Sequence, residues 1–62
     1  MKIAGVYSSN IARFSVLTNA QQYAAMNSQY WVEPLLGDDG LFWVASTTRE
    51  NSRLKRAGYE VA

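Results

Sequence analysis

Neither cysteine nor histidine occurs among the 62 residues. The first absence excludes a disulfide framework, a thiolate metal site and a cysteine nucleophile. The second removes the commonest general base and the commonest metal ligand. Proline occurs once, at Pro34. It suits an edge strand, where its missing N–H leaves no ladder bond unmade. Charge of either sign is scarce: six basic against five acidic side chains leave a net charge of +1, too little to imply a partner. No apolar run approaches membrane-spanning length, and Met1–Tyr7 lacks the apolar stretch of a secretory leader. A lack of cysteine is compatible with a reducing compartment, so the expected location is cytoplasmic and no membrane partner is expected.

What is present is a folding composition. Nearly half of the residues are hydrophobic, with two Trp, four Tyr and two Phe, which argues for a packed globule. The length allows one domain, 1–62. Such a chain buries only about 60% of its unfolded surface, so the core must be well packed.

The most informative pattern is an internal repeat. Phe14-Ser-Val-Leu-Thr18-Asn-Ala-Gln21, running on to Tyr30-Trp-Val32, returns as Phe42-Trp-Val-Ala-Ser-Thr47-Thr-Arg-Glu50, running on to Tyr59-Glu-Val61. One residue inserted before Thr47 is the only gap. Repeats of this kind mark one supersecondary unit used more than once. In each copy Phe-x-Val reads as a strand, and Thr-x-x-Gln or Thr-x-x-Glu reads as a capping box opening a helix. Gly58 is suited to a left-handed helix stop, and Tyr-x-Val opens a further strand. Gly37-Asp-Asp-Gly40 joins the copies. A three-residue loop with a left-handed Gly40 sets Gly37 opposite Leu41, which puts Leu36 on the face of Phe42 and sets Leu35 opposite Trp43.

Two β-α-β units in series give βαββαβ. The expected fold class is therefore α+β, ferredoxin-like, an antiparallel sheet with both helices on one face. An extra N-terminal strand over Lys2 to Tyr7 is expected to form a hairpin with Ile11 to Leu17. The expected core is Phe14, Val16, Tyr30, Val32, Phe42, Val44, Tyr59 and Val61, covered by Ala25, Ser28, Leu54 and Ala57. The other face then carries Arg13, Ser15, Leu17, Trp31, Glu33, Leu35, Trp43 and Glu60 with no helix over it. Two Trp and two Leu on a bare face mark either an interaction site or a surface covered by the N-terminal segment or by a second copy.

A second candidate surface is Arg49, Arg53 and Arg56, spaced i, i+4, i+7 on the second helix, with Lys55 beside them. That stripe could suit phosphates or an acidic protein surface, but the ordinary charge of a solvated helix face, with cations near its C-terminus, is the stronger explanation. Asp38 and Asp39 are accounted for by turn chemistry. No serine has a base beside it, and no metal or other cofactor is expected.

With its duplicated Phe-x-Val…Thr-x-x-Glu…Gly-Tyr-x-Val skeleton and no catalytic group, the chain resembles in kind the very small α+β proteins that bacteriophages and mobile elements encode to block host machinery, anti-CRISPR proteins among them. That resemblance implies a non-enzymatic inhibitor that masks a host protein complex by surface contact. It assigns no residue a role. The near-neutral charge departs from the acidic inhibitors that mimic nucleic acid. The partner-binding candidates are Trp31, Trp43, Leu35, Arg13, Arg49, Arg53 and Arg56. The alternative is a small nucleic-acid-binding domain using the arginine stripe and sheet aromatics. The chain is expected as a monomer or a homodimer.

Overall fold

A computed structural model describes residues 2–26 and 32–62. The sheet is set by its turn. Gly40 N–H donates to the Gly37 carbonyl, and Gly40 then takes φ 82°, the left-handed bulge position. Leu35 consequently faces Trp43 and Leu36 faces Phe42, the register the three-residue loop requires. Strands β4 (Leu35–Leu36) and β5 (Phe42–Ala45) pair across this turn, and β3 (Ile11–Phe14) pairs antiparallel with the other side of β5, Arg13 opposite Trp43 and Phe14 opposite Phe42. The order is β3-β5-β4.

Helix α1 (Leu17–Met26) follows β3, and α2 (Thr48–Arg56) follows β5. The described protein is thus α+β, with two helices and two antiparallel sheets. The second sheet is a small hairpin of β1 (Lys2–Ile3) and β2 (Val6–Tyr7), turned at Ala4 and Gly5 with φ 53° and 83°. The N-terminal stretch pairs with itself, where a hairpin with Ile11 to Leu17 was expected.

The strand neighbours differ from the ferredoxin-like arrangement. There the last strand lies beside the first; here Val61 bridges Leu35 antiparallel. Leu36 N–H donates to the Glu60 carbonyl at 2.8 Å and Ala62 N–H to the Pro34 carbonyl at 2.9 Å. The C-terminal segment therefore sits outside β4, parallel to β5. This changes where the second helix must go. Both crossovers, β3-α1-β4 and β5-α2-Val61, step across the sheet in the same lateral direction, yet they start from antiparallel strands. Right-handed crossovers then require opposite faces for the two helices. The ferredoxin-like order steps back on itself and keeps both helices on one face.

The core divides accordingly. Ala20, Ala24 and Val44 form one cluster, with Ala12, Phe14, Val32 and Phe42 against it. This is the α1 face, where alanines let helix and sheet approach closely and the Phe14 and Tyr23 rings lie 5.1 Å apart. Val6, Ile11, Leu35, Trp43, Ala45 and Leu54 form the other cluster, with Ile3, Leu41 and Tyr59. This is the α2 face. The expectation of both helices on one side, with the opposite side bare, is corrected: Trp43 is 2% exposed and Leu35 0%, under α2 and the N-terminal hairpin. Burying an indole of this size removes so much apolar surface from water that leaving it bare is the costlier arrangement.

Further expected core positions shift for local reasons. Helix α1 begins at Leu17, one residue before Thr18, so Thr18 lies inside the first turn and Val16, without a polar side chain, precedes the helix. The inward face becomes Ala20 and Ala24, while Ala25 is exposed. Val16 and Val61 are half-exposed, and Tyr59 packs on the Trp43 side. Ala57 is exposed. Tyr30 and Ser28 lie outside the described residues. At α2 both expected end signals hold. Thr47 caps it, its hydroxyl accepting from the Glu50 N–H at 3.2 Å. At the other end Gly58 N–H donates to the Lys55 carbonyl and Tyr59 N–H to the Leu54 carbonyl, with Gly58 at φ 109°. This is a Schellman stop, with Tyr59 packed on the cluster that holds Leu54.

Candidate functional site

Trp43 is locked in place by its surroundings. Its Nε1–H donates to Asp39 Oδ1 at 3.0 Å, and the Leu41 N–H donates to the same oxygen at 3.0 Å. Asp39 Oδ2 pairs with Arg13 Nε at 3.5 Å. The Tyr59 ring lies 5.0 Å from the indole, and the Arg13 guanidinium stands over it, also at 5.0 Å. A buried indole N–H needs an acceptor, and the turn aspartate supplies it. Sequence reasoning gave Asp39 a turn role and missed this one. Of the expected partner-binding residues, Trp43 and Leu35 are therefore core and Arg13 is engaged beside them. The three do share a face, as expected. Trp31 lies outside the described residues.

The arginine stripe comes out differently. The Thr47 cap fixes the start of α2, so Arg49 and Arg53, one turn apart, project to the same side. Val6, 1% exposed, and Ile3 anchor the hairpin on the Trp43–Leu54 cluster. Strand alternation then turns Lys2 and Tyr7, which pair across the hairpin, away from that anchor. The result is an open groove of about 490 Å³ between hairpin and helix, lined by Lys2, Tyr7, Thr47, Arg49, Glu50 and Arg53 with Gly5. One Arg53 guanidinium N–H reaches the Gly5 carbonyl at 3.5 Å. The Lys2 ammonium lies 4.6 Å from the Tyr7 ring centroid. Lys2 and Tyr7 were not among the candidates, because nothing local in the sequence links them to residues more than forty positions on.

Among the described residues the cations of this groove form no ion pair. Lys55 pairs with Glu33 at 3.3 Å and Arg13 with Asp39. Glu50, in the groove wall, accepts from the Thr47 hydroxyl at 3.1 Å and from Asn10 Nδ2 at 3.0 Å. Among the described residues neither Lys2, Arg49, Arg53 nor Arg56 has an acid partner. Arg56 does not line the groove.

Beyond the basic last turn of α2, Asp38 and Glu60 mark a surface of the opposite sign. A second open cavity of about 580 Å³ is lined by Leu36, Gly37, Asp38, Gly58, Tyr59 and Glu60, among others. The Tyr59 hydroxyl donates to Asp38 Oδ2 at 3.3 Å. Desolvation, and next the Asp38 carboxylate, raise the Tyr59 phenol above its ordinary 10.0.

Among the described residues there is no cluster of three acidic, His or Cys side chains able to hold a metal. No helix among them is long and apolar enough to cross a membrane. No family model, no curated protein and no solved structure matches the chain.

Proposed function

We propose that the chain is a small non-enzymatic binding protein that acts by surface contact, covering an anionic surface of its partner with the cationic side of the N-terminal hairpin and α2. The observation that carries this reading is that among the described residues Lys2, Arg49, Arg53 and Arg56 have no acid partner, while Glu33, Asp39 and Glu50 are all engaged with other groups. Like charges held close along one surface repel, and a polyanionic partner relieves that repulsion. Trp43 and Leu35 are buried, which favours the cationic side as the contact surface. The inhibitory role implied by the resemblance to phage-encoded α+β proteins would be exercised the same way, by masking a host complex at an anionic patch.

The test is retention on immobilised heparin. Arg49→Glu/Arg53→Glu should elute at much lower salt with its circular dichroism unchanged. Lys55→Gln, which removes a cation already answered by Glu33, should shift far less than either arginine alone. Equal shifts for Lys55→Gln and Arg49→Gln, or no retention of the native chain at low salt, would sink the reading.

A further inference from the structure

The groove holds more than charge. Tyr7, 54% exposed, lines the same groove as Lys2, Arg49 and Arg53. An exposed aromatic ring among the cations adds a stacking platform to the charge. Cations along a groove with an aromatic platform between them are the two elements by which proteins hold single-stranded nucleic acid, phosphates on the charges and a base on the ring. Resting on the reading above, we infer that the partner at this groove is a single-stranded nucleic acid, its phosphates on Lys2, Arg49 and Arg53 and one base against Tyr7.

Four considerations support that choice of polyanion. The two guanidiniums lie one helical turn apart and can each fork onto a phosphate. The Lys2 ammonium, now over the Tyr7 ring, sits on a flexible stem that lets it swing to a phosphate as a base takes its place. A duplex keeps its bases stacked and offers Tyr7 no free base face, whereas a single strand does. Glu50, the one carboxylate in the wall, is held by Thr47 and Asn10, which reduces its repulsion of an incoming phosphate.

The experiment is fluorescence anisotropy with labelled single strands of DNA and RNA about 12 nucleotides long. The matched duplex, heparin and polyglutamate serve as competitors. Binding should weaken with salt, and Arg49→Gln or Arg53→Gln should each reduce the logarithmic salt slope by about 0.7. Tyr7→Ala should weaken binding by about 5- to 150-fold while leaving that slope unchanged. Tyr7→Phe should bind like the native chain. A thermal melt of Tyr7→Ala separates lost stacking from lost fold. Undiminished affinity in a folded Tyr7→Ala, or polyglutamate competing as well as a single strand of equal charge, overturns the nucleic-acid inference and leaves the anionic-contact reading standing. Failure to bind any polyanion at low salt removes both.

Discussion

The two copies of the repeat share a sequence skeleton and do opposite jobs. The first puts α1 over Phe14, Phe42 and Val44 with alanines and no charge; its Tyr23 and Met26 stay 40% and 85% exposed. The second puts α2, with four of the six basic residues, over Trp43, Leu35 and Ile11 through Leu54, with Asn51 buried on the same helix. The lightly covered α1 face is therefore held by small side chains and close approach. The α2 face is held by one large ring whose position is fixed on every side. A sequence repeat conserves local elements; it does not conserve the face to which a helix returns.

The sharpest way to break this comparison is Trp43→Ala. It should cost about 3–5 kcal/mol, enough to unfold a chain of this size, whereas Val44→Ala on the other face should cost about 2 kcal/mol and leave a cooperative urea transition. Equal costs would mean that the two faces contribute alike. Next in size is Gly37→Ala, since a Cβ there would run into the Trp43 ring. Overpacking of that kind should lose about 2–3 kcal/mol in a denaturant melt, with near-ultraviolet dichroism of the indole altered. Smaller again is the contrast between the caps. Thr47→Ala should cost about 1 kcal/mol, while Thr18→Ala, inside the first turn of α1, should be close to neutral. If Thr18→Ala costs as much, the first copy is capped like the second after all.

The smallest effect is electrostatic. Desolvation and then Asp38 favour the neutral Tyr59 phenol in the folded chain. Its folded-state pKa is thus above the unfolded one. The associated stability is fully present below the ordinary value of 10.0 and is lost as pH rises through the folded-state value. Asp38→Asn should lower the Tyr59 titration midpoint, followed by its ring resonances, and flatten the loss of stability in alkali. An unchanged midpoint would show that the carboxylate contributes nothing there.

Much of the local structure was legible because it depends on near neighbours. The Gly40 bulge fixed the Leu35–Trp43 register, Thr47 and Glu50 announced the start of α2, and Gly58 announced its end. The shared face of Arg13, Leu35 and Trp43 followed from alternation alone. The destination of the C-terminal segment was not legible, because both edges of the sheet offered it hydrogen bonds. The residue inserted before Thr47 was the one available hint. β5 runs to Ala45 where β3 stops at Phe14, the counterpart of Phe42. Each strand then has two residues before its helix, so the offset is odd and the second helix leaves from the opposite face.

The sequence by itself determined the α+β class, the turn register, the capped and stopped second helix, and a stripe of arginines upon it. Each follows from contacts between residues close in the chain or paired through a short turn. Only the tertiary structure decided that Trp43 is interior, that Asp39 satisfies its N–H, and that Lys2 and Tyr7 stand beside Arg49 and Arg53. Those outcomes hang on which edge of the sheet the last strand joins, and long-range packing settles that choice.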